Sequence, residues 1–361
     1  MLGSGVAQAQ GAVLQPDPTP VLQPAGIQGL LVPYYDRVNG LSLPFGVVVA
    51  LASDAIKVLP VVTYRSRLGV VDPSLSLRVG AETGLRLEAT GGRSTRSNDA
   101  WIYSNFVNSA TAFFVGVDTR NYFRASGGEG RLFAHIDDGG LSVEPFIGGR
   151  YERVSSISAA GNVWSVVGRN DIERIRRPNP LVDPVNIGSA LMGVELRDTV
   201  GVVHGKGRVE VERSLSTSAG TSSFTQLTAD AKVDFPTFKA QRLDFHAHAV
   251  ATSGDSISRS RYAYLGGSGT IPVLELLEQG GGQLVYVMSR YSIPLEGVLL
   301  PVVGQPIVSF NYVIGAAGVR ALPALVQTIG AGLGLSVVHF DVNTDVARKL
   351  GTKVSLSISL D

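Results

Sequence analysis

The sequence predicts an all-β fold, a transmembrane antiparallel β-barrel of about 16 strands (range about 14–16) with a long loop folded inward. Three observations predict it. Apolar and polar residues alternate strictly in segment after segment from about residue 38 to the end, the period of strands whose successive side chains point to opposite sides of a sheet. The polar faces carry serine, threonine, glycine and closely mixed charges such as Arg78, Glu82, Arg86 and Glu88. Such faces suit a wet lumen, where opposite charges compensate each other, better than a soluble exterior studded with lysine and glutamate. The connections also sort by length: very short near 53–54, 70–72, 138–140 and 237–239, long near 93–120, 157–186 and 253–282. Short turns on one rim and long loops on the other is the outer-membrane pattern.

Composition agrees with a chain that uses its apolar surface. It is 44% hydrophobic and only 17% charged over 361 residues, with 43 glycines and a mean hydropathy of +0.20. Thirty-one basic and 30 acidic residues give a formal charge of +1, so no global field draws the protein to nucleic acid. Cysteine is absent, which excludes disulfides, thiolate metal sites and cysteine nucleophiles.

Along the chain, Ala7-Gln8-Ala9 within MLGSGVAQAQ resembles the small-x-small end of a secretory signal peptide, without the basic start and long apolar run of a whole one. Residues 10–33 are rich in proline and glutamine and are expected to be an extended linker. The domain boundaries are therefore 1–33, residual signal peptide and linker, and 34–361, barrel. Alternation predicts strands near 38–52, 55–69, 73–82, 84–92, 121–137, 141–156, 187–198, 204–216, 224–236, 240–252, 283–294, 305–315, 327–337, 338–349 and 352–360. KVSLSISL is the clearest: Val354, Leu356, Ile358 and Leu360 fall on one face, Lys353, Ser355, Ser357 and Ser359 on the other. At about 9–11 residues each, such strands cross a bilayer at a tilt.

Two segments depart from this alternation. In WIYSNFVNSATAFFVG, residues 101–116, the repeat lengthens to three or four, predicting a short helix on a rim or inside the barrel. Residues 301–319 carry no charge, but Pro301, Pro306, Asn311 and the β-branched run favour one strand and its flanks over a spanning helix.

The glycine cluster RYAYLGGSGTIP at 261–272 invites a ligand-binding reading that its spacing does not sustain. It lacks the lysine and spacing of a phosphate loop, and Thr270 stands where a hydrolase elbow needs glycine. GDSI at 254–257 resembles the nucleophile block of a lipase family, although Gly-Asp-Ser is ordinary turn chemistry. His246 and His248 share the polar face with Asp244, because alternate strand residues project into the same space; that arrangement suits a lumen hydrogen-bond network, a metal or a barrel-embedded hydrolase site. No third ligand is evident, so no cofactor and no metal are expected. RSRYAY at 259–264 mixes basic and aromatic residues, but the balanced charge points to no nucleic-acid partner.

Three blocks then carry a family resemblance. YYDRVNGLSLPFGV at 34–47 looks like a barrel-opening strand. RYAYLGGSGTIP followed by GGGQLVYVMSRYSIPL at 280–295 looks like a glycine-rich long loop and the strand after it. QTIGAGLGLSVVHFDVNTDVARKLG at 327–351 looks like a terminal Gly-x-Gly strand with its Asp-Val-Ala-Arg block. Together they resemble the bacterial surface-antigen family, the barrel domain of the outer-membrane protein-assembly factors BamA and TamA and of their two-partner-secretion relatives. The resemblance implies a bacterial outer-membrane barrel, in this case without POTRA modules before residue 34. It implies protein or lipid handling or transport, with the outer-membrane bilayer and unfolded outer-membrane proteins or periplasmic partner chains as partners. A passive porin-like channel and a barrel-embedded hydrolase are the alternatives, and no enzymatic activity is expected.

In the family the long loop presents an Arg-Gly-aromatic tip whose arginine pairs with lumen acidic groups; here Pro272, Val273 and Leu274 stand in its place, and Met288 precedes Arg290 where the family carries Glu-x-Arg. The chain ends in Asp361 rather than phenylalanine. The loop and lumen candidates are Gly266, Gly267, Gly269, Arg290, Asp244, His246 and His248.

Overall fold

The computed structural model describes residues 21–51, 55–81, 83–157, 163–166, 177–198, 203–218, 223–300, 304–335, 338–347 and 349–358. The small-x-small match at 7–9 and the expected linker as far as residue 20 lie outside them. In chain order the strands are β1 (Val21–Pro24), β2 (Tyr34–Asp36), β3 (Gly40–Leu51), β4 (Ile56–Arg65), β5 (Val70–Val79), β6 (Leu85–Arg96), β7 (Phe123–Ala134), β8 (Ile136–Asp138), β9 (Leu141–Ser155) and β10 (Val185–Asp198). They continue with β11 (His204–Thr217), β12 (Thr225–Pro236), β13 (Arg242–Ser253), β14 (Ala263–Leu265), β15 (Gln279–Gly281), β16 (Gln283–Pro294), β17 (Ile307–Gly318), β18 (Val326–Leu335), β19 (Val338–Asp345) and β20 (Thr352–Ile358).

All but β14 and β15 belong to one 18-stranded sheet, and its long strands pair antiparallel in chain order, as in Leu227↔Ala251 of β12 and β13 or Val285↔Ala316 of β16 and β17. Each of the fifteen segments predicted from alternation holds one long strand. The three remaining pieces are short. β8 continues β7 along the same partner, β9. β1 and β2 lie along one edge of β3, Val21 opposite Ala50 and Asp36 opposite Gly40, so residues 21–36 form a single interrupted first strand.

Part of the segment expected to be linker thus pairs with the sheet. An edge strand tolerates proline because one row of its N–H groups has no ladder partner. Its interruption is a turn with positive φ at Gly26, Gln28 and Gly29, after which Leu30 bridges Phe45.

Strand direction alternates, so the connections segregate by rim. The long ones, 97–122, 156–184 and 254–282, share one rim; 80–84, 139–140, 199–203 and 237–241 share the other. The turn expected near 70–72 is 66–69 instead and lies on the long-loop rim. In the first long loop, helix α1 (Asn105–Ala110) begins where the Ser104 Oγ accepts from the Val107 amide at 3.2 Å, runs on as a π-helical turn over Thr111–Val115, and stops at Gly116 with φ 76°. Residues 307–318 of the uncharged stretch are strand β17. Among the described residues no helix is long and apolar enough to cross a membrane, which says nothing of strands.

Burial is inverted relative to a soluble protein. Leu87, Leu132, Ile147 and Met192 lie side by side across β6, β7, β9 and β10, and all four are exposed, Ile147 by 62%. Their sheet neighbours on the opposite face include buried Glu152, Ser189 and Glu212. In β12 and β13, Leu227 and Phe245 are exposed while His246 and His248 are buried. An apolar exterior around a polar interior, built from strands hydrogen-bonded to their neighbours, is the solution a lipid solvent demands.

Ile147 sits mid-strand on that outward face, so Ile147→Arg tests the assignment. We expect a loss of about 2–4 kcal/mol in urea titrations of protein folded into vesicles. A surface that faced water would shift by no more than about 0.5 kcal/mol.

Candidate functional site

The interior is lined by a ladder of opposite charges, which arises because arginine and glutamate two residues apart share a strand face. Arg86 meets Glu88 and Glu144, each at 2.8 Å. Arg131 meets Glu129 and Glu210, each at 2.8 Å. Arg208 bridges Glu195 at 2.9 Å and Glu210 at 2.6 Å. Arg150 reaches Glu129 at 2.6 Å and Glu212 at 3.0 Å. Buried charges persist only when paired in this way.

The 254–282 connection folds into this interior. β14 and β15 form a hairpin within it, Tyr264 opposite Gly280. Leu265, Ile271, Val273 and Leu274 pack with Val250, Leu284, Tyr286 and Val313 of the wall. At the base of the loop, Arg261 is 4% exposed. Its Nε donates to Glu212 Oε2 at 3.1 Å and its Nη2 to Glu212 Oε1 at 2.8 Å, and Nη2 also pairs with Glu152. The loop is therefore pinned by one guanidinium between carboxylates of β9 and β11.

The three predicted glycines all have positive φ: 127° at Gly266, 80° at Gly267 and 95° at Gly269. Their close approaches are to the loops rather than to the wall. A Cβ on Gly266 would lie 2.2 Å from the Glu275 carbonyl oxygen, and one on Gly267 2.9 Å from Leu276, so these two fold the loop on itself. A Cβ on Gly269 would meet Ile102 and Tyr103 of the other inward loop at 2.8 Å. The wall is approached at Gly281, whose Cβ would lie 2.0 Å from the Gly318 carbonyl oxygen.

His246 and His248 do converge, on a carboxylate the sequence did not single out. His246 Nε2 and His248 Nδ1 lie 3.1 and 3.0 Å from Asp230 Oδ2 on β12. Trp101, from the first long loop, stacks on His248 with ring centroids 4.2 Å apart and 6° between planes, and Tyr286 lies edge-on to His246. Asp244 stands apart from them, with Arg242 Nε 2.8 Å from its Oδ1. Arg290 is opposite Asp244 and Met288 opposite His246 in the ladder. Among the described residues, no group of three or more histidine, aspartate or glutamate side chains, the His246–Asp230–His248 group included, is placed to hold a metal ion. Ser256 follows the end of β13 on the long-loop rim; the five residues from His248 to Ser253 alone span roughly 16 Å of strand.

Asp99 joins the two inward loops. It is 1% exposed and accepts from the amides of Asn121 at 2.8 Å and Tyr264 at 3.1 Å, while Asn98 Nδ2 donates to the carbonyls of Ser260 and Tyr262 at 2.6 and 3.0 Å. Burial pushes the Asp99 carboxyl up to about 7, against the opposing pull of those two amides.

Three cavities follow one another along the interior. One of about 410 Å³ lies at the long-loop rim, bordered by Tyr34, Asn108 and Glu152. A middle one of about 250 Å³ shares Asn98, Arg150 and Arg261 with it. A third, of about 570 Å³, opens at the short-turn rim and shares Arg131, Arg208 and Asp230 with the middle one. Arg261 thus stands on the boundary between outer and middle cavities.

With this geometry in place, comparison with known proteins bears on the fold. No family model matches the chain, and no curated protein does. The crystal structure of BamA from Haemophilus ducreyi lacking POTRA domains 1–3 is similar, with a TM-score of 0.57 at 11% identity over 94% of this chain and 69% of that one. CdiB from Escherichia coli gives 0.48 at 11% identity, over 90% and 58% of the two chains. CdiB from Acinetobacter baumannii gives 0.44 at 10% identity over the same shares. The fold is that of a BamA-type barrel, in agreement with the blocks that resemble that family in sequence.

The family resemblance puts the loop arginine after the glycines, at 272–274, where Val273 and Leu274 instead join the apolar cluster. Arg261, five residues before Gly266, takes the contact with the lumen carboxylates. The signal that would have found its partners is the alternation of charge in RYER at 150–153 and EVER at 210–213, which puts Arg150 with Glu152 and Glu210 with Glu212 on one face.

Two predictions follow from these contacts. Arg261→Gln leaves Glu152 and Glu212 buried without their shared cation and should cost about 3–5 kcal/mol in denaturant unfolding; adding Glu212→Gln should recover part of that loss. Because the folded-state pKa of Asp99 is raised, its contribution to loop docking is complete below the unfolded value and lost as pH rises. Amide protection of Asn121 and Tyr264, corrected for intrinsic exchange, should fall from pH 3.8 through about 7, and Asp99→Asn should flatten that dependence.

Proposed function

We propose that this chain is a bacterial outer-membrane barrel that handles outer-membrane proteins or lipids, with the 254–282 loop acting as a latch inside its lumen. The observation that carries the reading is the inverted burial, apolar side chains outward and a paired charge ladder inward, in a fold similar to BamA. The long loops then face outside the cell and the short turns face the periplasm, where unfolded outer-membrane proteins or periplasmic partner chains would arrive. A lumen occupied by a pinned loop supports work at the barrel wall, or after unlatching, over steady solute flow. The reading is non-enzymatic: His246 and His248 both engage Asp230, and Ser256 stands on the rim.

The row of three cavities favours one second reading, a solute path closed at Arg261. Both require membrane residence. The purified protein should migrate faster on a gel unheated than boiled and float with vesicles of outer-membrane lipid; a protein that stays soluble without detergent contradicts both. In proteoliposomes, the first reading expects faster insertion of an unfolded barrel protein than into empty vesicles, with near-zero conductance in planar bilayers. Under the second, deletion of residues 265–280 raises conductance and insertion is unaccelerated.

A further inference from the structure

The first long loop carries an apolar surface that the lumen does not use. Tyr35 lies between two interior-facing neighbours on β2, Tyr34 and Asp36, and is opposite Leu41, which is exposed on the outward face. On that same face the ring of Phe113 meets Tyr35 edge-on at 5.5 Å and Trp164 at 4.9 Å. The Tyr35 hydroxyl donates to the Trp164 carbonyl at 2.5 Å and accepts from its amide at 3.0 Å. The Tyr35 amide, on the edge of β2 away from β3, donates to Ser109 Oγ of α1 at 3.0 Å. The helical segment 105–115 and Trp164 are thereby strapped to the outside of the first strand at the long-loop rim.

The segment has two faces. Asn108 is buried and hydrogen-bonded to Asp118, Thr119 and Tyr122, and Asn105 accepts from Arg120 at 2.7 Å. On the other side Phe106, Phe114, Trp164 and Val166 are each more than half exposed. No charged residue occurs from 104 to 117 or from 163 to 166. The patch runs on through Tyr35 and Leu41 into the outward apolar face of β3 and β4, where Phe45 and Tyr64 are also exposed.

We infer that this patch is an interfacial lipid anchor: residues 105–115 and Trp164 lie in the headgroup and upper acyl region of the bilayer leaflet at the long-loop rim. The inference rests on the membrane reading above and goes beyond it in assigning a loop, not a strand, to lipid. Aromatic rings with one polar edge settle at that depth, and a helix with a polar face held by protein and an apolar face free lies in the interface plane. Lipid is the occupant because the patch is continuous with the surface that the barrel already presents to the bilayer. It would fix the depth and rotation of the barrel around its first strand.

The two tryptophans supply the test. Trp101 stacks inside on His248, and Trp164 is outside. Trp101→Phe and Trp164→Phe proteins are reconstituted in phosphatidylcholine vesicles with and without lipids brominated on the upper acyl chain, after flotation and heat-modifiable mobility have confirmed insertion. Emission from Trp164 alone should drop by about two-fold or more with bromolipid and resist aqueous iodide, as a ring at the interface does; emission from Trp101 alone should change little. Should Trp101→Phe not fold, the difference between the original protein and Trp164→Phe gives the same quantity. Trp164 emission unaffected by bromolipid but quenched by iodide overturns the anchor, as does emission insensitive to both, which would mean a protein partner or another loop covers the patch. Failure to float overturns the membrane reading itself.

Discussion

The interior depends on one buried cation. The Arg261 guanidinium lies between Glu152 of β9 and Glu212 of β11, and Arg150 links Glu212 onward to Glu129. In a space screened from bulk water, an unpaired carboxylate is costly, so each glutamate of the ladder fixes the arginines around it. This single contact joins the loop to the wall across several strands of the sheet. The same loop lays Leu265 and Ile271 against Leu284 and Tyr286 of the wall.

The same physics explains which parts could be read from sequence. Strands with one face to lipid and one to a polar interior alternate cleanly, as in LTADAKVDF at 227–235 and RLDFHAHA at 242–249, and all fifteen were visible for that reason. Residues 21–33 were not, since Pro24 and Pro33 and the turn at Gly26–Gly29 break the period of a strand that pairs along only one edge, and Tyr34–Asp36 entered only through the block that resembles a barrel-opening strand. At the site, the His246 and His248 pair was legible because spacing alone puts both on one face. Asp230 and Arg261 were not, because register across β12 and β13 and the path of a long loop are set by tertiary packing. The glycines were legible as loop candidates, but not what they approach: Glu275 and Leu276 are brought there by the loop's own fold, and Tyr103 by the other inward loop.

The two inward loops form one body. Asp99 and Asn98 bind the backbone of 260–264, Tyr103 closes on Gly269, and Trp101 covers the histidines while touching the apolar cluster. Any change that lifts the 254–282 loop therefore exposes the His246–Asp230–His248 group and merges the outer and middle cavities. On the solute-path reading proposed above this movement is required, whereas work at the barrel wall proceeds without it.

The absence of native cysteine allows the latch to be tested with a single reporter. Val273 is 2% exposed in the docked loop. In the Val273→Cys protein, held in vesicles, a membrane-impermeant maleimide should label slowly, and the added Arg261→Gln substitution should raise the rate by at least about ten-fold, the equivalent of 1.4 kcal/mol in the opening equilibrium. Equal rates in the two backgrounds, at whatever speed, would contradict the account, because the guanidinium would then not be what holds the loop in the lumen.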